Sequence, residues 1–235
     1  MVLSLAEVLS GGVDLNLTLI SNIVTCVLAL TGFIFGIMKF FKPKKALYAQ
    51  MITLAIGCMA FGRLYQVVRL LTGGEIFIEF QLGVLGVIGS LMFFFSANFG
   101  LMDSLADDGS KQYRRYRIIP AAAPITAALL YVIFILLPGA QMQLAVSGAV
   151  VTVFVMVTAY FNLKHLIFPD VDFGIINCLK MYNLTVLIYA FLCMAELIAV
   201  RIGNEVLIAC TGVLMGIALL AVVPVVERGM KKWTT

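Results

Sequence analysis

The sequence predicts an all-α, polytopic membrane protein built as a seven-helix bundle, and three observations carry that prediction. The first is composition: of 235 residues, 63% are hydrophobic and only 12% charged, with a mean hydropathy of +1.09. A soluble domain is nearer half apolar and a quarter charged, and a chain this short cannot hide the excess in its own core. The second is recurrence, because apolar runs long enough to cross ~30 Å of hydrocarbon return along the whole chain. The third is charge placement: thirteen of the sixteen lysines and arginines fall at one set of helix ends.

The whole of 1–235 reads as a single integral membrane domain. Residues 1–12 carry Leu3, Leu5, Val8 and Leu9 before Gly11 and Gly12, a pattern for a short amphipathic surface helix. They lack a basic stretch and a cleavage site, so no signal peptide is expected. Spans are then expected at about 14–40, 46–71, 76–102, 116–138, 142–165, 175–201 and 205–227. Lys39, Lys42, Lys44, Lys45, Lys111, Arg114, Arg115, Arg117, Lys164, Lys180, Arg228, Lys231 and Lys232 collect on one side. Arg63, Arg69 and Arg201 lie toward the other. By the positive-inside rule the N-terminus is expected outside and the C-terminus in the cytoplasm, as in a plasma or inner membrane.

The connection from Asp103 to Arg117 is the longest. Its acidic residues are expected to close the third helix, with Ser110 capping the fourth. Tyr113 to Arg117 are expected to anchor at the headgroups. Pro120 and Pro124 suit the first turns of the fourth span, where missing donors cost little.

Short matches recur in order along the chain. Val24-Thr25 and Thr31 return as Val151-Thr152 and Thr158; Ala55, Cys58, Met59 and Ala60 return as Ala190, Cys193, Met194 and Ala195. Gly83-Val84-Leu85 and Ile88 return as Gly212-Val213-Leu214 and Ile217. They predict two parallel three-helix repeats joined by a linker helix, a 3+1+3 order. In that arrangement alone the chain resembles the SWEET sugar transporters and their PQ-loop relatives. Helix-bending prolines and a Pro-Gln dipeptide are absent at the first and fifth spans. A retinal Schiff base is excluded by the lack of lysine from Val206 to Val226.

Arg63 is the costliest residue in the chain, since a guanidinium at membrane depth costs a few kcal/mol unless it is compensated. It shares a face of the second span with Met59 and Gln66. Tyr182, Tyr189 and Glu196 share a face of the sixth, and the repeat sets Glu196 at nearly the depth of Arg63. Glu79, Gly83, Gly86 and Ser90 form a narrow face of the third span, which admits either a close helix or a ligand. Arg63, Gln66, Glu79, Tyr189 and Glu196 are therefore the candidate ligand-binding residues of a polar pocket open to the outside. The competing reading is a structural ion pair between Arg63 and Glu196 or Glu79. Arg69 and Arg201 are expected at headgroups, and His165 at the interface.

Enzyme signatures are missing, and no metal or other cofactor is implied. One histidine cannot make a His-rich metal site, and no serine at membrane depth has a base to activate it. Cys26, Cys58, Cys178, Cys193 and Cys210 lie within or beside apolar runs without metal-ligand spacing, so they read as packing residues. The basic side is a topology signal rather than a nucleic-acid footprint. The partners expected are the bilayer, a small molecule entering from outside, and a cytoplasmic partner at the Asp103–Arg117 loop. Function is expected to be small-molecule transport. The alternatives are a receptor-like module signalling through that partner, or a structural membrane subunit.

Overall fold

A computed structural model describes residues 17–42, 46–73, 82–103, 107, 109–138, 142–169 and 175–234. The expected surface helix at 1–12, and with it Glu79 and Gln81, lie outside the described residues. The helices are α1 (Leu17–Phe40), α2 (Leu47–Leu71), α3 (Leu82–Ala97), α4 (Lys111–Leu136), α5 (Met142–Ile167), α6 (Ile175–Ile202) and α7 (Glu205–Thr234). All seven spans are long and apolar enough to cross a membrane, which makes the chain a multi-pass integral membrane protein.

Ends differ from expectation where local chemistry intervenes. α3 passes at Asn98 into a π-helical stretch, Asn98–Asp103. α4 begins earlier than expected, with 3-10 turns at Lys111–Tyr113 and Ile119–Ala121 on either side of one short α-helical turn. Pro120 lies at the start of the second of those turns, where a missing donor costs little. The Ser110 side chain makes no capping bond, and its carbonyl accepts from Arg117. α7 runs past its expected end to Thr234 with Pro224 inside it.

The packing order forms a ring. α1 lies between α7 and α2, α2 against α3, α3 against α5, α5 against α6, and α6 against α7. α4 sits outside, on α5 with a smaller contact on α6, and only 22% of its apolar window is buried. Its outer face, with Leu129, Val132, Ile133 and Leu136 exposed, is a lipid-facing surface.

Within the ring, small residues set the distances. A Cβ on Gly86 would stand 2.6 Å from the Gly62 Cα, so α2 and α3 meet backbone to backbone. Met59, Ile56 and Ile52 of α2 pack with Leu91 and Phe94 of α3 and Tyr189 and Met194 of α6 in one continuous core. α2 and α6 stand on opposite sides of the ring order. Only long side chains bring them together.

Candidate functional site

Arg63 reaches across the ring. Its Nη2 donates to Glu196 Oε2 at 2.5 Å, and its Nη1 donates at 3.0 Å each to Asn22 Oδ1 and Gln66 Oε1. Helical geometry makes each contact available. Gln66 lies one turn from Arg63 on the same face, and Asn22 ties its own Nδ2 to Thr18 O, which turns Oδ1 toward the guanidinium. Arg63 is 1% exposed and Glu196 3%, and among the described residues Arg63 Nε has no partner. Two opposite charges at one depth cancel each other's field. The amide oxygens satisfy donors that a lone pair of ions would leave bare.

This geometry corrects the expected pocket in three ways. Arg63 and Glu196 are in direct contact rather than separated by a cavity. The glycine face of α3 is filled: a Cβ on Gly83 would lie 2.8 Å from Gln66 and one on Gly86 would meet Gly62, so these glycines admit α2 and leave no room for a ligand. The third helix at the cluster is α1, through Asn22, in place of α3. Tyr189 sits deeper and donates to Ser90 Oγ at 2.9 Å, outside the Arg63 cluster. Tyr131 bonds Ala145 O and is also away from it.

Further polar groups follow inside the ring. Tyr48 Oη donates to Asn98 Oδ1 at 3.4 Å, and Asn98 Nδ2 donates to Asn183 Oδ1 at 3.1 Å. Tyr182 packs edge-on against Tyr48 with its hydroxyl buried. From Glu196 to Asn183 along α6 is about 20 Å at 1.5 Å per residue. Phe94, ring to ring with both Tyr189 and Tyr182, is the apolar step in the series.

A charged cluster closes the end where α3 gives way to its π-helical stretch. Lys164 Nζ donates to Asp103 at 2.5 Å and Asp107 at 2.8 Å, Arg117 pairs with Asp107, and His165 Nε2 lies 3.3 Å from Asp103. For Asp103, burial pulls the carboxyl up, but hydrogen bonds and charge from His165 and Lys164 outweigh it and hold the group below its ordinary value. For Asp107 the Arg117 hydrogen bonds dominate; with help from Lys164 and the Gly109 N–H they overcome burial and hold the carboxyl far below the usual carboxylate range.

Three expectations change here. His165, 1% exposed, is buried rather than interfacial, because Asp103 gives it a partner below the surface beside Lys164, itself 3% exposed. Arg117 is held by Asp107 instead of by headgroups. Arg201 donates to Leu137 O at the end of α4 and lies over the Phe134 ring, a helix C-terminus supplying the negative dipole end it needs. Arg69 lines an open hollow of about 370 Å³ with Tyr65 and Thr72.

Sequence reasoning missed Asn22, Asn98 and Asn183. The available signal was an amide recurring inside apolar runs, where it costs more than a hydroxyl to bury. The five cysteines are free thiols, with Cys26 directed at Ala60 O and Cys193 at the Met215 sulfur. Among the described residues no three His, Cys, Asp or Glu side chains gather as metal ligands. Compared with known proteins, no family model, curated protein or solved structure matches the chain.

Proposed function

We propose that the protein is a small-molecule membrane transporter, held closed by the Arg63–Glu196 pair, with its N-terminus outside and its C-terminus cytoplasmic. One observation carries this reading: polar side chains succeed one another inside the ring through most of its depth. An ion pair that only locked a bundle would need one level of polar groups. Burying Ser90, Asn98, Tyr182 and Asn183 as well costs stability with no gain in the lock, but provides what a polar solute needs on its way through.

The ring order supports the 3+1+3 repeat. Exchanging α1 with α5, α2 with α6 and α3 with α7 turns every neighbouring pair in the ring into another neighbouring pair, and leaves α4 outside as the linker. Thr25 and Thr152, matched in the repeat, each bond the carbonyl one turn back. Transport would then be rocking of one half against the other about the α2–α6 contact. In the open form Arg63 releases Glu196 and takes an acceptor group of the substrate, a carboxylate being the best fit to its fork. Gln66 and Tyr189 would line the path, and no bond is made or broken in the substrate.

The test is uptake by proteoliposomes of a panel of labelled amino acids and small carboxylates, for wild type and Arg63→Ala. Saturable uptake by wild type that Arg63→Ala loses supports the reading. Equal uptake by both removes Arg63 from the path.

The receptor-like reading has one observation in its favour. Arg114 and Arg115 are exposed on a segment pinned by Arg117 to Asp107 and by Tyr160 to the Arg117 carbonyl, a fixed basic surface suited to an acidic cytoplasmic partner. Charge reversal at both arginines would abolish capture of such a partner; a protein that captures none loses this reading.

A further inference from the structure

We infer that Glu196, Thr25 and Ser21, grouped around Gly212, form a binding site for a single sodium ion. The position that a Cβ on Gly212 would occupy is 3.3 Å from Thr25 Oγ1, 3.9 Å from Glu196 Oε1 and 4.0 Å from Ser21 Oγ. Three oxygens from α1 and α6 thus converge on a spot where α7 offers only the hydrogens of a glycine.

All three are acceptors there. Ser21 commits its hydroxyl hydrogen to Thr18 O at 2.9 Å, and Thr25 commits its own to Ser21 O at 2.7 Å. Arg63 takes Glu196 Oε2, and among the described residues no donor is directed at Oε1. A buried set of lone pairs with no hydrogen between them calls for something that supplies positive charge. Oxygen-only ligands select a hard cation over a transition metal.

Charge then selects the valence. Arg63 already offsets Glu196, so the site is close to neutral before anything binds. A divalent ion would leave two uncompensated charges at membrane depth, whereas a monovalent ion leaves one, which the three oxygens share. Hard ions the size of calcium, sodium among them, meet oxygens at about 2.3–2.6 Å. An ion would therefore sit about 1 Å or more from the Cβ position, toward the oxygens. Bound there, it competes with Arg63 for the carboxylate and weakens the contact that closes the ring. The inference of coupling to transport rests on the transporter reading; the binding itself does not.

The experiment is thermal unfolding of the purified protein in detergent, titrated with sodium chloride against potassium and choline chloride at constant ionic strength and pH. Wild type is expected to gain several degrees in Tm, saturating with sodium and absent in the other two salts. Gly212→Ala fills the spot and Thr25→Val removes a ligand at constant shape. Both are expected to keep the wild-type Tm in choline and lose the sodium response. Equal Tm in all salts overturns the site, as does an undiminished response in Gly212→Ala. A parallel pH series in choline that shifts Tm, with no response to sodium at any pH, assigns the carboxylate to a proton and overturns it too. Failure of every uptake assay would remove the transporter reading while leaving sodium binding measurable.

Discussion

Glu196→Gln isolates the energetics of the buried pair. The substitution keeps the size of the side chain and removes its charge, leaving Arg63 ionised, 1% exposed and without a counter-ion. Losing one partner of a buried pair costs about 3–5 kcal/mol. Asn22 and Gln66 still accept from Nη1, and the new amide oxygen still accepts from Nη2, so the low end applies, ~3 kcal/mol. At about 2–4 °C per kcal/mol for a chain of this size, Tm in detergent should fall by about 6–12 °C. The double variant Arg63→Met with Glu196→Leu removes both charges and fills the space with apolar atoms. Such replacements range from neutral to stabilising by about 1–4 kcal/mol, so the double variant should recover most or all of the loss. The cycle of Arg63→Met, Glu196→Leu and the double variant measures the coupling directly. A single variant with the wild-type Tm, or a double no more stable than the singles, would refute the account of Arg63 as a charge that survives through Glu196.

Gly86→Leu should separate α2 from α3, because its Cβ alone would lie 2.6 Å from the Gly62 backbone; a loss above about 3 kcal/mol, or no folded protein, is expected, against little change for Gly100→Ala, which has nothing within 4 Å. Asn22→Ala should cost about 1–2 kcal/mol of thermal stability through one lost acceptor for a charged donor, read as a lower Tm in detergent; an unchanged Tm would show that Asn22 adds nothing to the pair. The Asp107 carboxyl is held below its ordinary value, so its contribution is present above the unfolded-state pKa of about 3.9 and disappears as pH falls through the folded value. Asp107→Asn should lose about 2 kcal/mol at neutral pH, and its Tm should fall less steeply than that of wild type below about pH 4. Identical acid profiles for the two would show that the Arg117–Lys164 contacts add no stability.

The elements most legible in the sequence were those governed by the solvent. Seven spans followed from hydropathy, since a lipid-facing helix must be apolar along its whole length whatever it packs against. The depth match between Arg63 and Glu196 was legible too, because helical rise converts residue number into depth. What escaped was lateral: which helices are neighbours, and whether a small-residue face admits a ligand or another helix. Gly83 and Gly86 looked the same under both readings, and only the position of α2 decided between them. His165 read as interfacial because its partner, Asp103, comes from a different connection.

The sequence by itself determined the class of solvent, the number of helices able to cross a membrane and the need for an anion near Arg63. Each of these is a property of single helices and of the energy of one charge in hydrocarbon. The tertiary structure decided that the pair closes directly and that Asn22 joins it. It also decided that polar groups line the ring from Glu196 to Asn183, and that Ser21, Thr25 and Glu196 oxygens come together beside Gly212. Those depend on how six helices are ordered around one another, and apolar surfaces, being alike to lipid, write little of that order into the chain.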